Sequence, residues 1–177
     1  IKNEHARIVL GSTQPTELVG RWGKPDDRRL RFGWHPVPWR ETGDNIVLVW
    51  SGGAYHAGAG LRSPDDMAAE TVARIKAISK RPILYRPKPK RPFKPIQGVT
   101  TSQPGVLLEQ DLQNAHVMVT IGGSSCVNAL LCGIPSIILG DGVTRGLSST
   151  TIEAVDTPYL APVEDVTQFL NDLAYCQ

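Results

Sequence analysis

The sequence has little cysteine, no long apolar run and almost no net charge, and each shortage removes a class of protein. Its three cysteines, Cys126, Cys132 and Cys176, are an odd number without zinc-like spacing, which argues against a disulfide framework and a structural metal site. Cys126 and Cys132 lie on or beside a short apolar helical stretch and read as small core residues in a reducing, cytoplasmic compartment. No apolar stretch approaches the ~20 residues of a membrane span, and no signal-peptide pattern opens the chain. The formal charge of +2 by itself implies no polyanionic partner. At 177 residues the chain suffices for one domain with a proper core. It has no initiating Met and ends inside a helical pattern at Tyr175-Cys176-Gln177, so part of a longer protein, cut at the C-terminus, is expected.

What is present centres on residues 117–142, VMVTIGGSSCVNALLCGIPSIILGDG. Val117, Met118, Val119 and Ile121 form a nearly continuous apolar run, as expected of a parallel strand covered on both faces. Gly122 and Gly123 then permit dihedrals and close ligand approach that a side chain would block, and Ser124 or Ser125 is placed to cap a helix starting near Cys126. Free N–H groups and hydroxyls at such a turn suit an anion. The same residues would serve equally as a plain strand-to-helix turn. The helix should end at Gly133, with a strand over 136–139 closing at Gly140-Asp141-Gly142.

Upstream, residues 6–10 are apolar enough for a strand. Residues 20–43 hold three of the four Trp (Trp22, Trp34, Trp39) and five Arg; they read as an irregular wrap that buries its Trp rings against the core. Domain boundaries are therefore expected at 1–43, strand and wrap, and 44–177, a Rossmann-like unit. Residues 46–50, IVLVW, are a buried strand feeding Ser51, Gly52, Gly53 and a glycine-rich stretch to Gly60. That stretch reads as a mobile loop at the sheet edge, with His56 a solvent-exposed loop histidine. Ser63-Pro64-Asp65-Asp66 announces a helix, with Ser63 as cap and Met67, Val72, Ile75 and Ile78 as its apolar face.

A short strand at 83–85 leads into Arg86-Pro87-Lys88-Pro89-Lys90-Arg91 and on to Lys94. Proline keeps such a run extended, and alternation puts Arg86, Lys88 and Lys90 on one side, suited to a diphosphate or a nucleic-acid backbone. Further elements are a short strand near 99–102, a short helix over 107–114 and an amphipathic helix over 163–175. Ser148 or Ser149 is placed to cap a helical turn through Glu153. Strands near 46, 83, 99, 117 and 136 separated mostly by helices predict an α/β fold with a doubly wound, Rossmann-like parallel sheet.

Taken in order, Arg86-Pro87-Lys88-Pro89, Asn114-Ala115-His116-Val117, Gly123-Ser124-Ser125 and Ala129-Leu130-Leu131-Cys132-Gly133-Ile134-Pro135 resemble the nucleotide-binding half of GT-B glycosyltransferases. The likeness is to the capsule-polysaccharide type and to related phage-encoded proteins. It implies a metal-independent glycosyltransferase that binds a nucleotide sugar and needs no cofactor. Ser124-Ser125 matches a Ser-Ser motif that holds the donor in the CMP-sugar branch, whereas the His-Pro motif is met only as Lys88-Pro89. Asn128 stands where many relatives carry a ribose-binding acid. The resemblance places donor contacts at Gly122, Gly123, Ser124 and Ser125 and charge neutralisation at Arg86 and Lys88, with Ser51, Gly52, Gly53 and Asp141 lining the crevice. It gives no catalytic base. The basic 86–94 run leaves a second reading open, a nucleic-acid acceptor or partner, and a third is a scaffold with a vestigial site.

Overall fold

The computed structural model describes residues 22–88 and 92–176; the expected strand at 6–10 and the contributions of Pro89, Lys90 and Arg91 lie outside them. Five strands form one sheet: β1 (Asn45–Val49), β2 (Ile83–Arg86), β3 (Thr100–Thr101), β4 (Ala115–Thr120) and β5 (Ser136–Ile138). All pair in parallel, in the order β3-β2-β1-β4-β5. The predicted doubly wound α/β sheet is therefore the observed fold. Its strand order reverses between β1 and β4, and the crevice outside the carboxyl ends of those two strands is where open α/β sheets bind ligands.

Strand alternation divides the core. Ile46, Leu48 and Trp50, with Val117, Val119 and Ile121, face helix α3 (Pro64–Ile78) through Ala68, Val72 and Ile75. Val47, Met118 and Ile138 face the opposite side, against α5 (Ser125–Leu131) and α6 (Val163–Tyr175). A period of two on strands buried on both sides gives two apolar layers from one apolar run. Each fully buried Ile, Leu or Val contributes about 1.5–3 kcal/mol, so these layers fix the carboxyl edge in place.

Several local expectations need correction. Residues Gly53–Gly58 form a short helix, α2, rather than a loop: the Gly52 carbonyl accepts the amides of both Tyr55 and His56, and Tyr55 and His56 pack inward and outweigh the low helix propensity of glycine. His56 is consequently buried, its Nδ1 2.8 Å from the Arg62 carbonyl. Ser63 occupies its predicted position, but its side chain makes no cap bond. Ile78 is exposed, and Pro64, Ala68 and Thr71 complete the buried face of α3. The final helical turn before α6 is Ile152–Ala154, entered through Thr151 without a side-chain cap, so neither Ser148 nor Ser149 caps it.

Residues 22–44 include a helix, α1 (Asp27–Arg31), where irregular chain was expected. Trp34 and Trp39 do pack against the α5–α6 layer, and the Trp39 indole donates to the Ala161 carbonyl. Trp22 is 42% exposed. The segment is held by polar groups of α6 that an apolar reading of that helix passes over. Buried Asp172 accepts the Trp22 and Lys24 amides at 2.8 and 2.9 Å, and Asn171 accepts the Arg29 Nε–H at 2.7 Å.

Candidate functional site

Parallel pairing of β1 with β4 brings Ser51, just past β1, beside the turn that follows β4. The Ser51 hydroxyl donates to the Gly122 carbonyl at 2.9 Å, and the Thr120 hydroxyl donates to the same oxygen at 3.1 Å. The Gly122 amide in turn donates to the Thr120 hydroxyl. Gly122 and Gly123 have φ of +149° and +109°, conformations that L side chains rarely adopt. A Cβ on Gly122 would also lie 2.0 Å from the Asp141 carbonyl oxygen. Glycine is thus required at Gly122 by both backbone angle and space.

This turn floors a crevice of about 290 Å³ lined by Ser51, Arg86, Lys88 and Gly122 through Ser125, with Leu108 and Asn128 at its side. Seven of the ten residues expected at the site therefore meet in one place. Gly52, Gly53 and Asp141 do not line it. Gly52 lies beneath it, where a Cβ would come 2.9 Å from the Lys88 Cδ, so the glycine makes room for the lysine stem. The Asp141 carbonyl stands against Gly122, where a Cβ would meet it, and near the Tyr55 hydroxyl.

The two cations differ. Arg86 is committed to a closed network: its guanidinium bonds the Asp111 carboxylate, the Ser102 hydroxyl at 3.1 Å and the Val106 carbonyl at 2.9 Å. Ser102 also donates to Asp111 at 2.6 Å, and the Arg86 and Asp111 side chains are only 13% and 7% exposed. Lys88 is exposed and has no carboxylate partner among the described residues. Further along the run, Lys94 pairs with Asp66 at 3.7 Å.

Ser124 sits at the N-cap of α5 with helical dihedrals and makes no side-chain cap bond, which corrects the expected serine cap. The residue that closes back on the turn is Cys126, whose thiol donates to the Gly123 carbonyl. Among the described residues neither Ser124 nor Ser125 spends its hydroxyl on another protein group, so both remain for a ligand. Asn128 donates its amide to Glu109 at 2.6 Å, so a carboxylate does stand beside the crevice, delivered by helix α4 (Leu108–Asp111) and not by α5.

Sequence reading missed Tyr55, Thr120 and Asp111. Thr120 and Asp111 carry no motif, and Tyr55 lies in a glycine-rich stretch whose composition favours a loop. The Tyr55 hydroxyl lies 3.3 Å from the Ile121 carbonyl and 3.4 Å from that of Asp141. Burial raises the pKa of this phenol above its usual value, the Asp141 backbone opposes the rise, and the Asp141 charge adds to it.

A second cavity, about 410 Å³, opens on the α3 side of the same edge, with Trp50, Leu61, Met67 and Ile152 in its wall. Its arginines are matched by carboxylates, Arg62 with Glu70 and Arg74 with Glu153. The smaller crevice holds the unmatched lysine and the unspent hydroxyls. Among the described residues no cluster of His, Cys, Asp or Glu could hold a metal ion, and no helix is long and apolar enough to cross a membrane.

No protein-family model matches the sequence, and no curated protein matches it. Solved structures do match in fold. KpsC of Thermosulfurimonas dismutans, a β-Kdo 2,4 transferase, superposes with a TM-score of 0.52 at 15% identity, over 77% of this chain and 47% of its own. The β-Kdo 2,7 transferase of KpsC from the same organism matches at TM-score 0.45 and 17% identity, over 82% of this chain and 49% of its own. The spinosyn rhamnosyltransferase SpnG with its aglycone matches at TM-score 0.45 and 14% identity, over 77% and 37%. The fold is that of one half of a GT-B glycosyltransferase, and the chain spans about half the length of KpsC.

Proposed function

We propose that this chain is the nucleotide-sugar-binding half of a GT-B-type glycosyltransferase, holding the donor's phosphate or diphosphate in the crevice between β1 and β4. One observation carries the reading. The hydroxyls of Ser124 and Ser125 and the Lys88 ammonium, none spent on a partner among the described residues, converge with Gly122 and Gly123 at the switch point of the sheet. Hydroxyls and a single cation balance phosphate charge without a metal, and a cation so placed stabilises negative charge developing on a leaving phosphate.

Within this reading Lys88 is the charge partner of the phosphate. Arg86 acts differently from its expected role: bound to Asp111, it holds β2, the 102–106 loop and α4 together and so shapes one wall. The likeness in fold to KpsC supports reading the reaction as transfer of a sugar from a nucleotide donor.

Isothermal titration with CMP-, CDP- and UDP-sugars tests the proposal. Binding to at least one, weakened by Ser124→Ala and by Lys88→Ala, is expected. No binding to any, or a Ser124→Ala/Lys88→Ala double variant that binds like wild type, overturns it.

A further inference from the structure

One residue that packs against the Gly122 turn does not touch the crevice. Tyr55 belongs to α2, behind the turn, and its hydroxyl stands within 3.3–3.4 Å of two carbonyls: Ile121, at the end of β4, and Asp141, in the loop after β5. The same hydroxyl fills the space beside the turn, since a Cβ built on Gly122 would come within 2.7 Å of it and one on Gly140 within 3.4 Å. Four residues earlier, Ser51 holds the Gly122 carbonyl itself. The segment after β1 thus grips the turn twice, with Ser51 on the crevice side and Tyr55 at the rear, while Gly52 between them makes room for Lys88.

We infer that Tyr55 is a positioning residue of the binding site: by tying Ile121 and Asp141 together it fixes the Gly122–Gly123 backbone in the conformation that presents Ser124 and Ser125 to the ligand. The inference rests on the reading of the crevice as a phosphate site. Two glycines with positive φ have no side chains to hold their peptide planes, so an external tether is what keeps the turn in one state. Removing the hydroxyl takes away the single O–H that the two carbonyls share and loosens the peptides they belong to.

The test compares wild type with Tyr55→Phe and with Tyr55→Met, which keeps apolar bulk without a hydroxyl. Amide resonances and hydrogen exchange of Gly122 through Ser125 are recorded without ligand, and affinity is then measured with inorganic pyrophosphate. Both variants should stay folded, shift and speed exchange at these four amides, and bind pyrophosphate about fivefold more weakly. Combining Tyr55→Phe with Ser51→Ala should give a non-additive loss, since both act through one turn. A lower melting temperature with unchanged turn amides and unchanged pyrophosphate affinity would reduce Tyr55 to a packing residue and overturn the inference. Turn amides that shift in the variants of a protein that never binds pyrophosphate would overturn the phosphate reading and leave the tether standing.

Discussion

The Ser51 hydroxyl donates a 2.9 Å hydrogen bond to the Gly122 carbonyl, across 71 positions of sequence. The bond exists because β1 and β4 are neighbours in the sheet, so the chain leaving one strand meets the turn leaving the other. It fixes the carbonyl side of a turn whose glycines could otherwise take several conformations, and it joins the two strands at the point where the sheet reverses its order.

Removing that bond should weaken binding more than folding. Ser51→Ala forfeits one hydrogen bond worth about 1 kcal/mol, while Thr120 still donates to the same carbonyl. Nucleotide-sugar affinity is expected to fall roughly five- to tenfold. The urea midpoint should move little. Calorimetric titration and urea unfolding on the same preparation check both halves.

The two glycines should respond unequally to alanine. Gly122→Ala meets the Asp141 carbonyl at 2.0 Å as well as an unfavourable φ, and a loss of at least about 3 kcal/mol is expected. At Gly123 the nearest atom to a Cβ is the Ser51 Oγ at 3.8 Å, so only the backbone cost of about 1–3 kcal/mol applies. Equal destabilisation of the two variants in urea would contradict the packing described for Gly122.

Arg86 and Lys88 separate structure from binding. Arg86→Ala strands the Asp111 carboxylate, 7% exposed, with only the Ser102 hydroxyl among its guanidinium-network partners; a loss near 3 kcal/mol, the lower end for broken buried pairs, is expected. Lys88→Ala removes an exposed side chain and should change stability by less than about 0.5 kcal/mol. It should nevertheless lower pyrophosphate affinity and flatten its dependence on salt. Thermal melts and titrations at two ionic strengths distinguish the pair.

Tyr55 predicts an alkaline limb. Its folded pKa is raised above 10.0 by burial, so the folded state keeps a proton that the unfolded state releases. The stabilisation is complete below pH 10 and is lost as pH rises through the folded value. Tyr175 is raised too, chiefly by its hydrogen bond to Asp27, and contributes to the same limb. The difference between wild type and Tyr55→Phe isolates the Tyr55 part: it should shrink as pH rises above 10. A difference that stays constant with pH would show that the Tyr55 hydroxyl titrates alike in both states.

The sheet and the location of the crevice were legible because apolar runs such as residues 46–50 and 117–121 respond to a rule local in sequence: strands buried on both faces are apolar throughout. The Gly-Gly-Ser-Ser turn was legible for the same kind of reason, since positive φ demands glycine. Helix α2 was not, because inward packing of Tyr55 and His56 outweighed the local propensity of a glycine-rich stretch. Nor could the sequence divide the labour between Arg86 and Lys88. Two cations two positions apart look alike until Asp111 and Ser102 arrive from distant positions to engage one and leave the other at the crevice. The sequence by itself determined strand identity, the parallel α/β class and the residues able to form an anion turn. Only the tertiary structure decided which donors are spent and which remain, because partnership depends on what the fold brings within 3 to 4 Å, and for Ser51, Tyr55 and Arg86 those partners lie far along the chain.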